Sequence, residues 1–342
     1  MSTELTLMRQ EILEIPAAVE RLLTHGAAEI AATAATARDL NPRFLVSVAR
    51  GSSDHACSYL KYASELLLRR PMASVGPSVT SIYGTDLNAE GALCIAISQS
   101  GQSPDIVSMT EALGRSGALT VAITNNPASR LAAAAGATLP IHAGPEISVA
   151  ATKTFVTSLV AGLWLLAAIR GDRDLLGAIR ALPRHLEDAT RCDWAAAADA
   201  IDGRSLFTLG RGPSLAVSNE AALKFKETCL IHAESYSSAE VLHGPVSIVE
   251  QGFPAIAFAA RDAAEETLAA TADELAAKGA RVFATTDRVT RATCLPHVRT
   301  DHWLTDPVAS IVSFYGMVEA VAVRRGIDPD RPRHLNKVTE TV

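Results

Sequence analysis

The sequence predicts an α/β fold made of one domain written twice, each copy a doubly wound parallel sheet flanked by helices. Three observations carry this: an internal repeat, a strand–turn–helix rhythm inside each copy, and strand segments that are apolar on both faces.

The repeat is the strongest of the three. Phe44-Leu-Val-Ser-Val-Ala-Arg50-Gly51-Ser52-Ser53 resembles Leu206-Phe-Thr-Leu-Gly-Arg211-Gly212-Pro213-Ser214, with Arg50 and Arg211 lying 161 residues apart. At that spacing Ile95-Ala-Ile97 meets Ile256-Ala-Phe258. Gly117-Ala-Leu-Thr-Val-Ala-Ile-Thr124 meets Gly279-Ala-Arg-Val-Phe-Ala-Thr-Thr286 one residue late.

Strands are predicted at Phe44–Val48, Ala92–Ile97 and Leu119–Ile123, and at Leu206–Leu209, Pro254–Phe258 and Arg281–Ala284. They are nearly continuous apolar runs, as parallel strands covered on both faces must be. Their alternation with helical segments gives the doubly wound arrangement. Ligands of such sheets sit at the carboxyl ends of the strands. The expected layout is an N-terminal helical segment over 1–30, the first domain over 31–173, a helical linker over 174–197, the second domain over 198–326 and a tail over 327–342. Helix extends to about Asp39 and is expected to pack on the first lobe.

A chain of 342 residues suits two domains of moderate size, and 48% hydrophobic residues provide ample core. A net charge of −6 argues against nucleic acid as a partner, since that partner needs clustered Lys and Arg. An anionic substrate must then be held by local donors. Met1 to Gln10 has mixed charge and no apolar run of the signal-peptide kind, and the apolar stretch Val156 to Ile169 reads as a buried helix and not a membrane span. The five cysteines, Cys57, Cys94, Cys192, Cys229 and Cys294, are scattered without CxxC spacing. They read as reduced, buried small hydrophobes of a cytoplasmic protein, with no metal site among them.

The two copies differ where chemistry is expected. After its second strand, copy one reads Ser98-Gln99-Ser100-Gly101-Gln102-Ser103-Pro104-Asp105, whereas copy two reads Ala259-Ala260-Arg261-Asp262-Ala263. Hydroxyls, backbone N–H groups and a helix N-terminus together make a phosphate site without lysine. Gly101 is expected to let the backbone approach the anion. Helix capping would account for one serine but not three. Ser52 and Ser53, ending the first strand, face the same cleft or serve as caps. Copy two instead carries Glu220, Lys224 and Glu227 at i, i+4 and i+7 on one helical face, followed by His243 before Gly244-Pro245. Taken alone, these read as a salt-bridged surface row and a turn histidine.

Here the sequence resembles the double-SIS sugar isomerase family. It is similar to the isomerase half of glucosamine-6-phosphate synthase and to stand-alone SIS-type glucosamine-6-phosphate deaminases. Nearly the whole chain is covered, in order, by Arg50–Ser53, Ser98–Ser103, Val149–Lys153, Leu209–Gly212, Ala222–Glu227, Ile231–Glu234, Leu242–Pro245 and Asn336-Lys337. The resemblance implies two tandem SIS domains and assigns roles. Ser98, Gln99, Ser100 and Ser103 hold the 6-phosphate, with Ser52 and Ser53 beside it, and backbone at Val149 and Ala150 lines the sugar. Glu227 moves a proton between C1 and C2, Lys224 assists proton transfer, and His243 opens the ring from a neighbouring subunit of a homodimer. Lys337 matches a lysine that forms a Schiff base with the ketose. Gln102 stands where the family has Glu, and Arg50 where the synthase has Cys.

The synthase carries a glutaminase domain before its isomerase half, whereas Met1-Ser-Thr-Glu begins close to the isomerase region. Deamination of an amino-sugar 6-phosphate, without metal or cofactor, is therefore the expected direction. Arg50–His55, Ser98–Gly101, Ser237–Glu240 and Leu335–Thr339 resemble the deaminases in particular. The alternatives are a deglycase of fructosamine 6-phosphates or another hexose-phosphate isomerase and, from a different class, a non-catalytic sugar-phosphate sensor. The residues before the first strand offer a sensor no basic recognition helix.

Overall fold

A computed structural model describes residues 5–335 and 337. Three helices come first: α1 (Leu7–Leu13), α2 (Ile15–His25) and α3 (Ala27–Leu40). The first sheet comprises β1 (Phe44–Val48), β2 (Met72–Ser74), β3 (Ala92–Ile97), β4 (Leu119–Thr124) and β5 (Ala137–Pro140), all parallel, in the order β2-β1-β3-β4-β5. Between its strands run α4 (Gly51–Leu67), α5 (Ser78–Ser81), α6 (Pro104–Arg115) and α7 (Arg130–Ala134), and α8 (Lys153–Arg170) follows.

Helices α9 (Arg173–Ala189) and α10 (Ala195–Ala200) lead to the second sheet. It contains β6 (Ser205–Gly210), β7 (His232–Ser237), β8 (Pro254–Ala257), β9 (Arg281–Ala284) and β10 (Thr293–Cys294), again all parallel. Its order, β7-β6-β8-β9-β10, reproduces that of the first sheet strand for strand. Phe44 and Ser205, which open β1 and β6, lie 161 residues apart, the spacing of the sequence repeat. Helix α11 (Pro213–Cys229) follows β6 as α4 follows β1, and α12 (Glu265–Ala277) and α13 (Asp306–Arg324) complete the copy.

All six predicted strands form. Each sheet has two more, one at each edge, that the apolar pattern did not disclose. Edge strands bury less, so they need not be apolar: β7 reads His-Ala-Glu-Ser-Tyr-Ser and is mostly half-exposed, and β10 has only two residues.

The described residues divide into two compact units. One is built on the first sheet and holds Ala17–Glu146, Lys153–Arg180 and Lys337. The other is built on the second sheet and holds the residues up to Pro16, Ile147–Thr152 and Ala181–Leu335. Helix α1, expected on the first lobe, belongs to the second-sheet unit. Its Arg9 Nε donates to Glu319 of α13 at 3.0 Å, and the N–H groups of Leu7 and Met8 donate to the Asp330 carboxylate at 2.8 and 2.7 Å.

In the first-sheet unit Val48, Cys94, Ala96, Met109, Leu113 and Leu131 close one core. In the other, Phe207 meets Phe253 and Tyr236 edge to face at 4.8 and 5.1 Å. Helices α8 and α13 are long and apolar enough to cross a membrane, but 83% of each is buried inside the structure, as a central core helix must be. Cys57, Cys94 and Cys229 are buried and free, and burial pushes the Cys94 and Cys229 thiols up to about 12 and about 11. Cys192 is only half-buried and Cys294 is exposed on the edge strand β10, so these two depart from the expected pattern.

Candidate active site

The first-sheet unit brings the serines together. In its strand order the switch point lies between β1 and β3, because the chain leaves them toward opposite edges. Ser52 and Ser53 stand in the first turn of α4, directly after β1. The Ser98–Ser103 turn joins β3 to the N-terminus of α6. Two helix N-termini therefore lie at the carboxyl ends of neighbouring strands, where unpaired N–H groups favour an anion.

Neither serine group caps its helix by side chain. Arg50 is the N-cap of α4, so Ser52 and Ser53 lie inside the helix. Ser103 is the N-cap of α6 but makes no capping hydrogen bond, and its hydroxyl has no partner among the described residues. Ser98 and Ser100 instead shape the turn: Ser98 Oγ accepts from the Gly101 N–H at 3.1 Å, and Ser100 Oγ from the Gln102 N–H at 3.3 Å. Those two N–H groups, expected to be available to an anion, are thus engaged. The Gln99 carbonyl accepts from the Asn125 N–H at 3.2 Å, which pins the turn to the end of β4.

Gly101 is required by the packing of the turn itself. Its φ is +63°, and an added Cβ would lie 2.1 Å from Ser129 Oγ, so the glycine lets the turn pack on the loop before α7. The pairing of Arg50 with Asp105 went unrecognised in the sequence. The fully buried Asp105 carboxylate, in the first turn of α6, accepts from Arg50 Nε and Nη2 at 3.1 and 2.9 Å. This pair ties the two helix N-termini together and cancels a charge that would repel a phosphate.

The first-sheet unit also holds Lys337. Its Nζ donates at 2.9 Å to Glu146, a buried carboxylate that also accepts from Thr154 N–H and Oγ1 at 3.0 and 2.7 Å. Nothing in the pattern around Glu146 disclosed this partnership. Of the C-terminal motif Leu335–Thr339, Asn336, Val338 and Thr339 lie outside the described residues.

The second-sheet unit holds the acid/base row on α11. Far from being a solvated surface row, it is buried: Glu220 and Lys224 have no exposure and Glu227 keeps 22%. Lys224 Nζ lies 3.3 Å from Glu220 Oε1 and donates in a short contact to Glu227 Oε2. Tyr315 Oη of α13 donates to Glu220 at 3.3 Å. Burial alone would lower the Lys224 ammonium, but Glu220 and Glu227 outweigh it and hold it well above the usual lysine range. Lys224 is thus a fixed cation, and Glu227 is the member of the row that reaches solvent. The segment with Val149 and Ala150 belongs to this unit and is tied down by Glu11 of α1, which accepts from the Ser148 N–H at 3.3 Å and from its hydroxyl in a short contact. His243 ends a 3₁₀ turn over Glu240–His243, exposed and without a hydrogen-bond or ion-pair partner among the described residues.

In copy two, the loop matching the serine turn is filled by the protein's own charges. Glu265, in the first turn of α12, pairs with Arg299 in a short contact and accepts from Thr286 Oγ1 at 2.8 Å. Asp306 accepts from the Arg261 N–H at 2.8 Å.

Three comparisons bear on this arrangement. A protein of Silicibacter pomeroyi DSS-3, described as a candidate phosphosugar isomerase, is 65% identical, with a TM-score of 0.93 over 95% of this chain and all of that one. The glutamine–fructose-6-phosphate aminotransferase (isomerizing) of Pyrobaculum aerophilum is 35% identical over 87% of this chain and 51% of its own length. The chain spans about half the length of the curated relatives it matches. The glucosamine-6-phosphate deaminase of Thermotoga maritima shares the fold, with a TM-score of 0.79 at 21% identity. The SIS domain family matches residues 41–168 and 201–323, one segment around each sheet, and the chain belongs to that family.

Proposed function

We propose that the protein converts glucosamine 6-phosphate and water to fructose 6-phosphate and ammonia. The observation that carries this is a division of labour between copies of one fold. One copy has serines at two helix N-termini, which suits a phosphate. The other has a solvent-reaching carboxylate braced by a buried ammonium, which suits proton transfer at carbon. Matching relatives are named for chemistry on fructose 6-phosphate, and Arg50–His55, Ser98–Gly101 and Ser237–Glu240 resemble motifs of the deaminases.

Ser52, Ser53, Ser98, Gln99, Ser100 and Ser103 hold the 6-phosphate, and backbone at Val149 and Ala150 lines the sugar. His243, with both ring nitrogens available, serves as acid and base in ring opening. Glu227 takes the proton from C2 of the open-chain aldehyde and returns it at C1 through an enolamine. The C2 amine becomes an imine, water adds to C2, the C–N bond breaks and ammonia leaves. Lys224, locked as an ammonium, contributes charge and holds the Glu227 carboxylate in place, a narrower part than shuttling a proton.

The relative at 65% identity favours a second reading, ketose–aldose isomerisation with no loss of nitrogen. The test is to mix protein with glucosamine 6-phosphate and follow ammonia and fructose 6-phosphate together. Release in equal amounts is expected. Interconversion of hexose phosphates without ammonia would move the assignment to the isomerase, and binding without turnover would move it to a deglycase or a sensor.

A further inference from the structure

On the α6 side of the serine cleft few donors are left for an anion. The first residue of α6 is Pro104, which has no N–H. The Ile106 N–H donates to Asp105 Oδ1 at 2.9 Å. In the turn before the helix, the N–H groups of Gly101 and Gln102 are taken by Ser98 and Ser100. Neither Arg50–Ser53 nor Ser98–Asp105 contains a lysine, and the chain as a whole carries a net charge of −6. Hydroxyls alone would leave a doubly charged phosphate without a counter-charge on this side.

Arg50 stands in that gap. It caps α4 after β1, and Asp105 lies in the first turn of α6, after β3. Strands β1 and β3 are neighbours, and the crevice at their carboxyl ends is the switch point where sheets of this kind bind ligands. The Arg50 side chain crosses this crevice, and both its Nε and its Nη2 donate to Asp105 Oδ2. Asp105 has no exposure, whereas Arg50 keeps 52%, so the guanidinium is the outer member of the pair. Its Nη1 makes no hydrogen bond to any described residue. A planar guanidinium can serve a carboxylate along one edge and a phosphate along another.

The second copy shows that the fold does not impose this arrangement. Arg211 occupies the matching place after β6, but its Nη1 donates at 3.3 Å to Ser237 at the end of β7, on the other side of its strand. Glu265, in the first turn of α12, pairs with Arg288 and Arg299 instead. The copy with the serines turns its arginine over the crevice, and the copy without them turns it away.

We propose that Arg50 binds the phosphate of the substrate, held over the crevice by Asp105, and supplies the charge that the serines lack. This rests on the sugar-phosphate chemistry proposed above.

The test is binding without turnover, measured by calorimetry with fructose 6-phosphate. Arg50→Gln should weaken binding about 10- to 100-fold, as loss of a charge-assisted hydrogen bond does. That variant leaves the Asp105 carboxylate buried alone, so the decisive protein combines Arg50→Gln with Asp105→Asn, which keeps the net charge and a neutral tie between the two helices. It should bind as poorly as Arg50→Gln. Wild-type affinity should also fall more steeply with added NaCl than that of the double variant. Arg211→Gln should bind as wild type does. Wild-type affinity in the double variant, equal salt slopes, or an equal loss in Arg211→Gln would each overturn the proposal.

In turnover, Arg50→Gln should raise KM for glucosamine 6-phosphate with little change in kcat, and a fall in kcat alone would contradict a binding role. If wild type binds fructose 6-phosphate but releases no ammonia, the deaminase assignment falls and the binding series still decides what Arg50 does. If it binds neither sugar phosphate, both fall.

Discussion

At the scale of single residues, two buried lysine–carboxylate arrangements shift in opposite directions, Lys224 upward and Glu146 downward. Lys224 sits between Glu220 and Glu227 with no exposure. Lys224→Met would leave Glu220 buried and uncompensated, at a cost of about 3–5 kcal/mol, read as a large fall in Tm. Because the ammonium is raised in the folded protein, its contribution is complete below the unfolded lysine value near ~10.4 and is lost only as alkali passes the folded value. Glu146 is the reverse case. Its carboxyl is depressed, so its contribution is present above the unfolded value of about 4.3 and disappears as acid passes the folded value. In Lys337→Ala, burial would raise that carboxyl, so acid unfolding should begin at a higher pH than in wild type, as a melting series against pH would reveal. An unchanged acid limb would mean that the pair contributes nothing to stability.

The row Glu220–Lys224–Glu227 was legible because helical spacing puts i, i+4 and i+7 on one face. Its burial was not, because that depends on α13, whose Tyr315 lies 95 residues away in sequence. Glu146 and Asp105 were illegible for the same reason: a buried carboxylate is recognised by a partner that only the fold supplies.

At the scale of elements, the six central strands were legible because burial on both faces forces a continuous apolar run. The four edge strands were not, since an edge strand such as β7 can be polar and still pair along one side. The serine turn was legible by composition, but its internal bonding was not. Gly101 shows the difference. The sequence suggests a close approach to an anion, and the structure adds a left-handed residue packed on Ser129, which no pattern in the sequence disclosed. Gly101→Ala should cost at least about 1–2 kcal/mol for backbone conformation alone, more once Ser129 is displaced, and should weaken sugar-phosphate binding measured by calorimetry. Normal affinity in that variant would mean the turn does not hold the phosphate.

At the scale of the whole molecule, the same parallel sheet is used twice with identical strand order, and the copies have diverged where a ligand would sit. Copy one keeps serines there; copy two fills the place with Glu265, Arg299 and Asp306. The repeat made this division readable from sequence, since each copy serves as the control for the other. An exposed, unpartnered His243 fits a role in a second copy of the chain. If sites are shared across a two-fold axis, mixing inactive Glu227→Gln and His243→Ala proteins should restore about a quarter of wild-type activity, since half the dimers would carry one intact site. No recovery after verified subunit exchange would confine His243 to its own chain.

The most direct measurement of the central claim is hydrogen exchange at C2 of glucosamine 6-phosphate in D₂O, followed by proton NMR with wild type and Glu227→Gln. Loss of the C2 proton signal with wild type, and its persistence with Glu227→Gln while sugar-phosphate binding stays intact, is the predicted result. Exchange at an undiminished rate in Glu227→Gln would contradict the assignment of Glu227 as the base, and with it the account of how the second copy acts.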